Sequence, residues 1–460
     1  MSGEFGESLG SVSGFFSANS VAVVGVSSTD EEGPGRAIFR NLLSGFSGKV
    51  FPVNPKAGEI EGRTCYPSVS AIPEEIGMVI VATPAAAVPS VIEDCAKKGV
   101  GHAVIISGGF SEIGNRDLEN SLLALARKNS MRIIGPNCLG LYDAHRGMNA
   151  FFLPNYRIKA PKAGNVAFVS QSGAVAGGGL DWAASENIGI SKIVSYGNKL
   201  DIDEVDMLEF LENDPQTKVI MLYIEGLRQG DRFIEVAKRV SRKKPIVAFK
   251  VGNSEKGARA VMSHTGSLAG DSKVYSGALR QAGIVQAETL EELFDFAKAF
   301  SLQQAGGRRV QIITSGGGFG VMATDALEKG GLSLAEMSRE RRGALEAKFP
   351  SHCVVKNPID LTGDADPGRY LLAIDAAIED ENVDAILVIF LFQLPKLSTE
   401  IVQMVAAADR KTDKPIVAVA IGSDFTHMHK IAIEASGTPV YDTPERAARV
   451  LKALSDFWGE

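Results

Sequence analysis

At 460 residues the chain has room for about three domains of ~150 residues each. Its composition, 45% hydrophobic and 22% charged, is that of a globular protein with ample core, which excludes a disordered chain. A formal net charge of −7 with no long like-charge run argues against nucleic-acid binding as the main role.

Four widely spaced cysteines (Cys65, Cys95, Cys138, Cys353) with no CxxC pair suggest neither a disulfide framework nor a zinc site, and no metal is expected on this chain. Free thiols fit a reducing cytoplasm. The acidic start Met-Ser-Gly-Glu-Phe-Gly-Glu does not read as a signal peptide, and the most apolar stretch, around Ala385–Leu394, is too short to span a bilayer.

Along the chain, short Val/Ile-rich runs recur, each closed by Gly, Ser, Thr or Pro. They are Val21–Val26, Met78–Ala82, Ala103–Ser107, Val166–Ser170, Val219–Ile224, Pro245–Val251, Val310–Thr314, Ala385–Phe390 and Pro415–Ile421. Continuous apolar character marks strands covered on both faces, as in parallel sheets. Helical patterns such as Leu118–Asn129, Phe233–Ser241 and Arg339–Lys348 lie between them, so the fold class is α/β with doubly wound domains. Gly-, Pro- and polar-rich breaks near 143–163 and 303–309 divide the chain into segments 1–145, 150–302 and 307–460.

In the first segment, Gly25-Val-Ser27-Ser28 opens a loop that runs through Gly33 to Arg36 and a helix, the usual cradle for a diphosphate. The GxGxxG fingerprint is absent. The second strand ends in Asn54-Pro-Lys56, where an NAD site would want an acid. Lys56 favours a further phosphate, that of coenzyme A or of NADP. Thr83-Pro84 and the following alanines offer apolar backbone for an adenine, Ser107-Gly-Gly adds a small-residue turn, and Asn137-Cys138 closes a strand end; together these tilt the choice toward coenzyme A. As a nucleophile Cys138 is disfavoured against a buried structural thiol.

The second and third segments read as two copies of one plan. Val166-Ala-Phe-Val-Ser-Gln-Ser-Gly resembles Val310-Gln-Ile-Ile-Thr-Ser-Gly-Gly, and Lys244-Pro-Ile-Val-Ala-Phe-Lys-Val-Gly resembles Lys414-Pro-Ile-Val-Ala-Val-Ala-Ile-Gly. The polar groups that chemistry needs are concentrated in the first copy; the third segment reads as a structural or docking domain. Ser170-Gln171-Ser172-Gly173 closes a strand and opens a helix, a turn suited to a phosphoryl group. Glu225 ends the strand Val219–Ile224, and His264 lies in a small-residue loop. Strand ends in such a domain share one edge, which brings Ser172, Glu225 and His264 together. A carboxylate on one imidazole nitrogen presents the other as a nucleophile toward phosphorus. His427 and His429 are rival phosphoacceptors without a matching acid.

These motifs, in this order, resemble one known family. Carrying the resemblance are the Gly25–Ser28 loop, Val53-Asn-Pro-Lys56, Ile134-Gly-Pro-Asn-Cys-Leu-Gly140, Val169-Ser-Gln-Ser-Gly173, Tyr223-Ile-Glu-Gly226 and Ser263-His-Thr-Gly-Ser-Leu-Ala-Gly270. Over nearly its whole length the chain is similar to the α subunit of ADP-forming acyl-CoA synthetases (acetate–CoA ligase, ADP-forming), relatives of succinyl-CoA synthetase. The resemblance implies a Rossmann-like CoA-binding domain followed by two flavodoxin-like ligase domains. It implies His264 as phosphoacceptor, Glu225 as its partner, phosphate at Ser170–Gly173, and coenzyme A near Lys56 and the Asn137 turn. Where the family's first loop commonly carries Gly-Lys, this chain has Glu32-Gly33, and Arg36 is the substitute.

No ATP-grasp domain follows residue 460, so the resemblance also implies a separate ATP-grasp β subunit, in an α2β2 heterotetramer, that holds ADP or ATP and Mg2+. The expected reaction is acyl-CoA + ADP + phosphate giving acid + ATP + CoA, by way of an acyl phosphate and a phosphohistidine. The alternatives are a non-catalytic CoA-binding regulator of the same fold and an NADP-dependent oxidoreductase.

Overall fold

Strands form where the sequence is continuously aliphatic, and their side chains are buried on both faces. The computed structural model describes residues 11–265 and 271–459, with the backbone alone for 262–265. Among these residues the chain divides into two compact units, the first ending at Glu288 and the second beginning at Thr289.

The first unit holds two sheets. The first is all parallel, with strands ordered Lys49–Val53, Ser20–Val24, Met78–Val81, His102–Ile105 and Arg132–Ile134. The second runs Val285–Ala287, Ile246–Lys250, Val219–Ile224, Ala163–Ser170 and Ile190–Ser195 in parallel, extended by an antiparallel hairpin, Gly140–Asp143 and Met148–Asn149. The 143–163 stretch, read from the sequence as a break, therefore follows a strand that pairs with the second sheet. Its first strand is short and its turn polar, which hid it.

One apolar core joins the two sheets, running from Val23, Ile80 and Ile134 to Val194, Tyr196 and Met207. Phe16 and Phe210 stack at 4.8 Å across it. The loop after Ile190–Ser195 is pinned to the first sheet. Leu200 N donates to Gly135 O (3.0 Å), Ile202 N to Ile133 O (3.1 Å), and Asp201 accepts from Arg132 Nε (2.8 Å) and Ile133 N (2.9 Å). Gly197, at φ +52°, passes so close to the Asn137 carbonyl that a Cβ would collide with it.

The second unit carries a parallel sheet ordered Ser333–Leu334, Arg309–Thr314, Ala385–Phe390, Ile416–Ala420 and Val440–Tyr441, with Ile359–Asp360 beside Arg309–Thr314. In each sheet, numbered within itself and setting aside the hairpins and Ile359–Asp360, the order is 2-1-3-4-5. The chain thus winds both ways from a switch point between strands one and three. The helix Leu290–Leu302 belongs to this unit, through Lys298–Glu434 (2.9 Å) and the Phe300–Phe457 ring contact. No described helix is long and apolar enough to cross a membrane.

Removing the Asp201 carboxylate leaves a backbone amide and a guanidinium in the seam between the two sheets without it. Asp201→Ala is expected to lower unfolding free energy by about 2 kcal/mol. Urea denaturation checks this, and an unchanged midpoint contradicts the role.

Candidate functional site

The switch point of the second sheet lies between Ala163–Ser170 and Val219–Ile224, whose ends are paired at Ser170 and Tyr223. Beyond them the turn Ser170–Gly173 and the loop Glu225–Leu227 meet. The Gln171 side-chain oxygen accepts hydrogen bonds from the amides of Glu225 (3.0 Å) and Gly226 (3.3 Å), fixing one loop to the other. Ser170 Oγ donates to Ser172 O (2.8 Å) and accepts from Ser172 N (3.2 Å). Ser172 Oγ caps the helix Gly173–Ser185 by accepting from Val175 N (3.3 Å). The first-turn amides of Gly173 and Ala174 then face the turn, and with the helix dipole they favour an anion.

Glu225 is 3% exposed and stands among buried charges that the sequence reading missed. Lys199 pairs with Glu204 (3.0 Å) and donates to Gly226 O (2.5 Å). Arg228 holds the carbonyls of Asn198 and Lys199. Lys250, 1% exposed, closes the neighbouring strand in register with Ile224. Its ammonium donates to Val251 O and sits 4.6 Å from the centre of the Tyr275 ring, whose hydroxyl accepts from Leu227 N (3.1 Å). Burial lowers Lys250 to about 8, with Glu225 pulling it back up and Lys199 adding to the fall. Burial, then the Glu225 charge, pushes Tyr223 up to about 12. A signal for Lys250 was present: its counterpart in the second copy, by both sequence and strand register, is Ala420.

His264 falls within the helix Glu255–Thr265, which leaves the same carboxyl edge after the strand Ile246–Lys250. The backbone is helical through Thr265, a correction to the loop expected there; Glu255-Lys-Gly-Ala-Arg-Ala-Val-Met contains enough helix formers to carry the helix into the small-residue stretch. The His264 side chain and residues 266–270 lie outside the described residues. The helix packs against the turn Ser111–Ile113 of the first sheet's domain.

At the switch point of the first sheet, Gly25 (φ +94°) and Gly35 bring loop and helix together; a Cβ on Gly35 would collide with the Gly25 carbonyl. Ser27 Oγ folds the loop by accepting from Thr29 N (3.2 Å) and Asp30 N (2.8 Å), and Ser28 is exposed. Asn54 ties the second strand to this loop through Val26 O (2.7 Å) and accepts from the amide of the exposed Lys56 (2.9 Å). Arg36, expected as a diphosphate contact, is engaged otherwise: it pairs with Glu61 (2.7 Å) and donates to Ser27 O (2.9 Å), so it holds the loop's shape.

Thr83 Oγ1 is buried without a hydrogen-bond partner among the described residues, beside the exposed Pro84. Ser107 Oγ donates to Thr83 O, and Asn137 N to Ser107 O (2.9 Å). Asn137, at φ +57°, is exposed and reaches Asn198 Oδ1 (3.2 Å), linking the two sheet edges. The Cys138 thiol turns inward to Ile105 O (3.2 Å), and burial pushes it up to about 12.

In the second unit the hydroxyl turn persists: Thr314 Oγ1 accepts from Gly316 N (3.0 Å). Asp360, however, stands over Gly317 at the helix start, where a carboxylate repels another anion. His429 is buried, stacked on Phe392 at 4.4 Å with Nδ1 2.7 Å from Phe425 O, and His427 is exposed. No described cluster of three His, Cys, Asp or Glu is arranged to hold a metal ion.

Three family models match the chain: a CoA binding domain at residues 19–144, a succinyl-CoA ligase like flavodoxin domain at 163–300, and a ligase-CoA domain at 310–439. The chain is 42% identical to the alpha subunit of acetate–CoA ligase [ADP-forming] I of Pyrococcus furiosus, covering 96% of this chain and 97% of that one. It is 41% identical to the acetate–CoA ligase [ADP-forming] of Methanocaldococcus jannaschii, covering 95% of this chain and 62% of that longer protein. Among solved structures it is similar to the dinucleotide-forming acetyl-coenzyme A synthetase 1 of Ca. Korarchaeum cryptofilum, in complex with phosphate and ADP, with a TM-score of 0.89 at 39% identity over 95% of both chains.

With its thiol pushed up to about 12, Cys138 has almost no thiolate at neutral pH. Iodoacetamide at pH 8 is expected to leave Cys138 of the folded protein unmodified by mass spectrometry; alkylation there faster than at the half-buried Cys353 contradicts the buried-thiol assignment.

Proposed function

This chain belongs to the family of ADP-forming acetate–CoA ligase alpha subunits, and from that premise we propose that it carries acyl-CoA cleavage and the first phosphoryl transfers of a reversible acyl-CoA synthetase. The net reaction is acyl-CoA + ADP + phosphate giving carboxylic acid + ATP + CoA. The observation that carries this reading is the joining of the Ser170–Gly173 turn to the Glu225 loop by Gln171, at the switch point where open α/β sheets bind ligands.

Coenzyme A lies on the first sheet, its diphosphate at the Gly25–Ser28 loop, with Lys56 near a further phosphate. Thr83, Pro84 and Ser107 line its path toward the Asn137 turn, whose Cys138 contributes only backbone. The CoA binding model at residues 19–144 favours this over an NADP site.

Inorganic phosphate rests on the Ser170–Gly173 turn and the Gly173 and Ala174 amides. One of its oxygens attacks the thioester carbonyl; the C–S bond breaks, the sulfur takes a proton, and CoA and an acyl phosphate result. A neutral His264 nitrogen then attacks phosphorus as the P–O bond to the acid breaks, releasing the carboxylate. The phosphorylated ring is cationic once its other nitrogen holds a proton. Glu225 accepts that hydrogen bond and stabilises the charge. ADP, with Mg2+ on a separate ATP-grasp subunit in an α2β2 assembly, receives the phosphoryl group from His264.

Incubation of the αβ complex with acetyl-CoA and labelled phosphate, without ADP, is expected to give an acid-labile phosphoprotein. The label is lost in His264→Ala and reduced by about a hundredfold in initial rate in Glu225→Gln. Retained label in the His264 variant overturns the assignment.

A further inference from the structure

Buried carboxylates require a countercharge, because an isolated one in a low-dielectric site takes up a proton instead. Glu225 is 3% exposed. Of the buried lysines beside it, Lys199 is already matched by Glu204 at 3.0 Å, so that pair is close to neutral. Among the described residues Lys250 has no such carboxylate within ion-pair distance: its ammonium donates to the Val251 carbonyl and faces the Tyr275 ring. It terminates its strand in register with Ile224, the residue before Glu225, and the charges acting on it are Glu225 and Lys199.

The chain's internal duplication supplies an independent control. In the second unit the corresponding strands end in the paired residues Phe390 and Ala420, so Leu391 follows where Glu225 stands and Ala420 lies where Lys250 stands. Acid and base are both present beside the Ser170–Gly173 turn and both absent at the copy whose helix start lies under the Asp360 carboxylate. A lysine kept only to support the strand end would have no reason to vanish along with the acid.

We propose that Lys250 is a positioning residue: it is the buried counter-charge to Glu225, so that Glu225 can hold and stabilise the phosphoacceptor imidazole. This rests on the function proposed above. Facing Lys250 are Glu225, just past the end of the adjacent strand, Lys199 from the loop after Ile190–Ser195, and Tyr275 from the helix Ser272–Gln281. Glu288, beyond the outer strand, and Glu255, Lys256 and Arg259, on the helix that follows, are exposed to solvent. The ammonium is charged at neutral pH and is lost as pH rises through about 8. The support it gives Glu225 is therefore present below that pH and fades above it.

The test is the initial rate of protein labelling from acetyl-CoA and labelled phosphate in the αβ complex, from pH 6 to 9.5, for wild type, Lys250→Met, Glu225→Gln and the double variant. Met fills a buried lysine's stem volume without a charge. Lys250→Met is expected to label about a hundredfold more slowly at pH 7. The double variant is expected to be no slower than Glu225→Gln alone, because both changes remove one function. Wild type is expected to lose about fivefold in rate from pH 8 to 9, with that step absent in Lys250→Met. A Lys250→Met rate equal to wild type, or losses that multiply in the double variant, overturns the proposal. If Glu225→Gln and His264→Ala both label at the wild-type rate, the phosphohistidine reading itself is what fails.

Discussion

Two hydrogen bonds from the amides of Glu225 and Gly226 to the Gln171 side chain hold the candidate site together. Parallel strands bring their carboxyl ends to one edge, but an edge alone leaves each following loop free to choose its direction. Gln171 removes that freedom for the two loops that flank the switch point. Its side chain is 4% exposed, so losing either bond would strand a buried amide group, a cost of about 1–3 kcal/mol each. The positions of the acid and of the Ser170–Gly173 turn are thereby coupled.

The same edge contains more charge than a hydrophobic sheet normally tolerates. Lys199, Glu204, Glu225 and Lys250 are all nearly inaccessible. Replacing such groups with apolar ones of similar volume is often stabilising, so their presence is weak evidence for stability and better evidence for chemistry. Lys199 adds a backbone cost, with φ +50° in a non-glycine residue. That conformation is over-determined by Arg228, which grips the Lys199 and Asn198 carbonyls, and by the Glu204 pair. The strain lies on the loop that joins the two sheet edges of the first unit, with Lys199 the one buried charge of the four that it carries.

Much of this was legible in the sequence because parallel strands are unambiguous. Val219–Ile224 and Ala385–Phe390 were bounded to the residue, and Ser170–Gly173 was read as the junction from strand to helix. What stayed hidden depended on partners distant in sequence. Arg36 reads as a phosphate ligand until Glu61, 25 residues on, is seen to hold it. Gly140–Asp143 looked like the end of the first segment, and only its pairing with Ile190–Ser195 assigns it to the next sheet. Tyr196, Lys199 and Asn198 lie in a loop with no periodicity, so nothing local marked them as the seam between two sheets.

The duplicated fold separates what a doubly wound domain needs from what this site adds. Both copies keep the hydroxyl turn after the first strand, with Ser170 and Thr314 making equivalent bonds to the backbone two residues on. That turn is therefore a requirement of the strand-to-helix junction and no evidence of phosphate on its own. The second copy fills the mouth of its helix with the Asp360 carboxylate and buries His429 between Phe392 and Phe425, so the space and the imidazole are both committed to packing. In the first copy, among the described residues, the atoms nearest the start of the corresponding helix at Gly173 are the Leu139 amide and Cβ and the Ser195 hydroxyl, with a buried acid one strand away. The two helix starts therefore differ in charge: the carboxylate over Gly317 opposes an anion, and the hydroxyl and amide beside Gly173 do not.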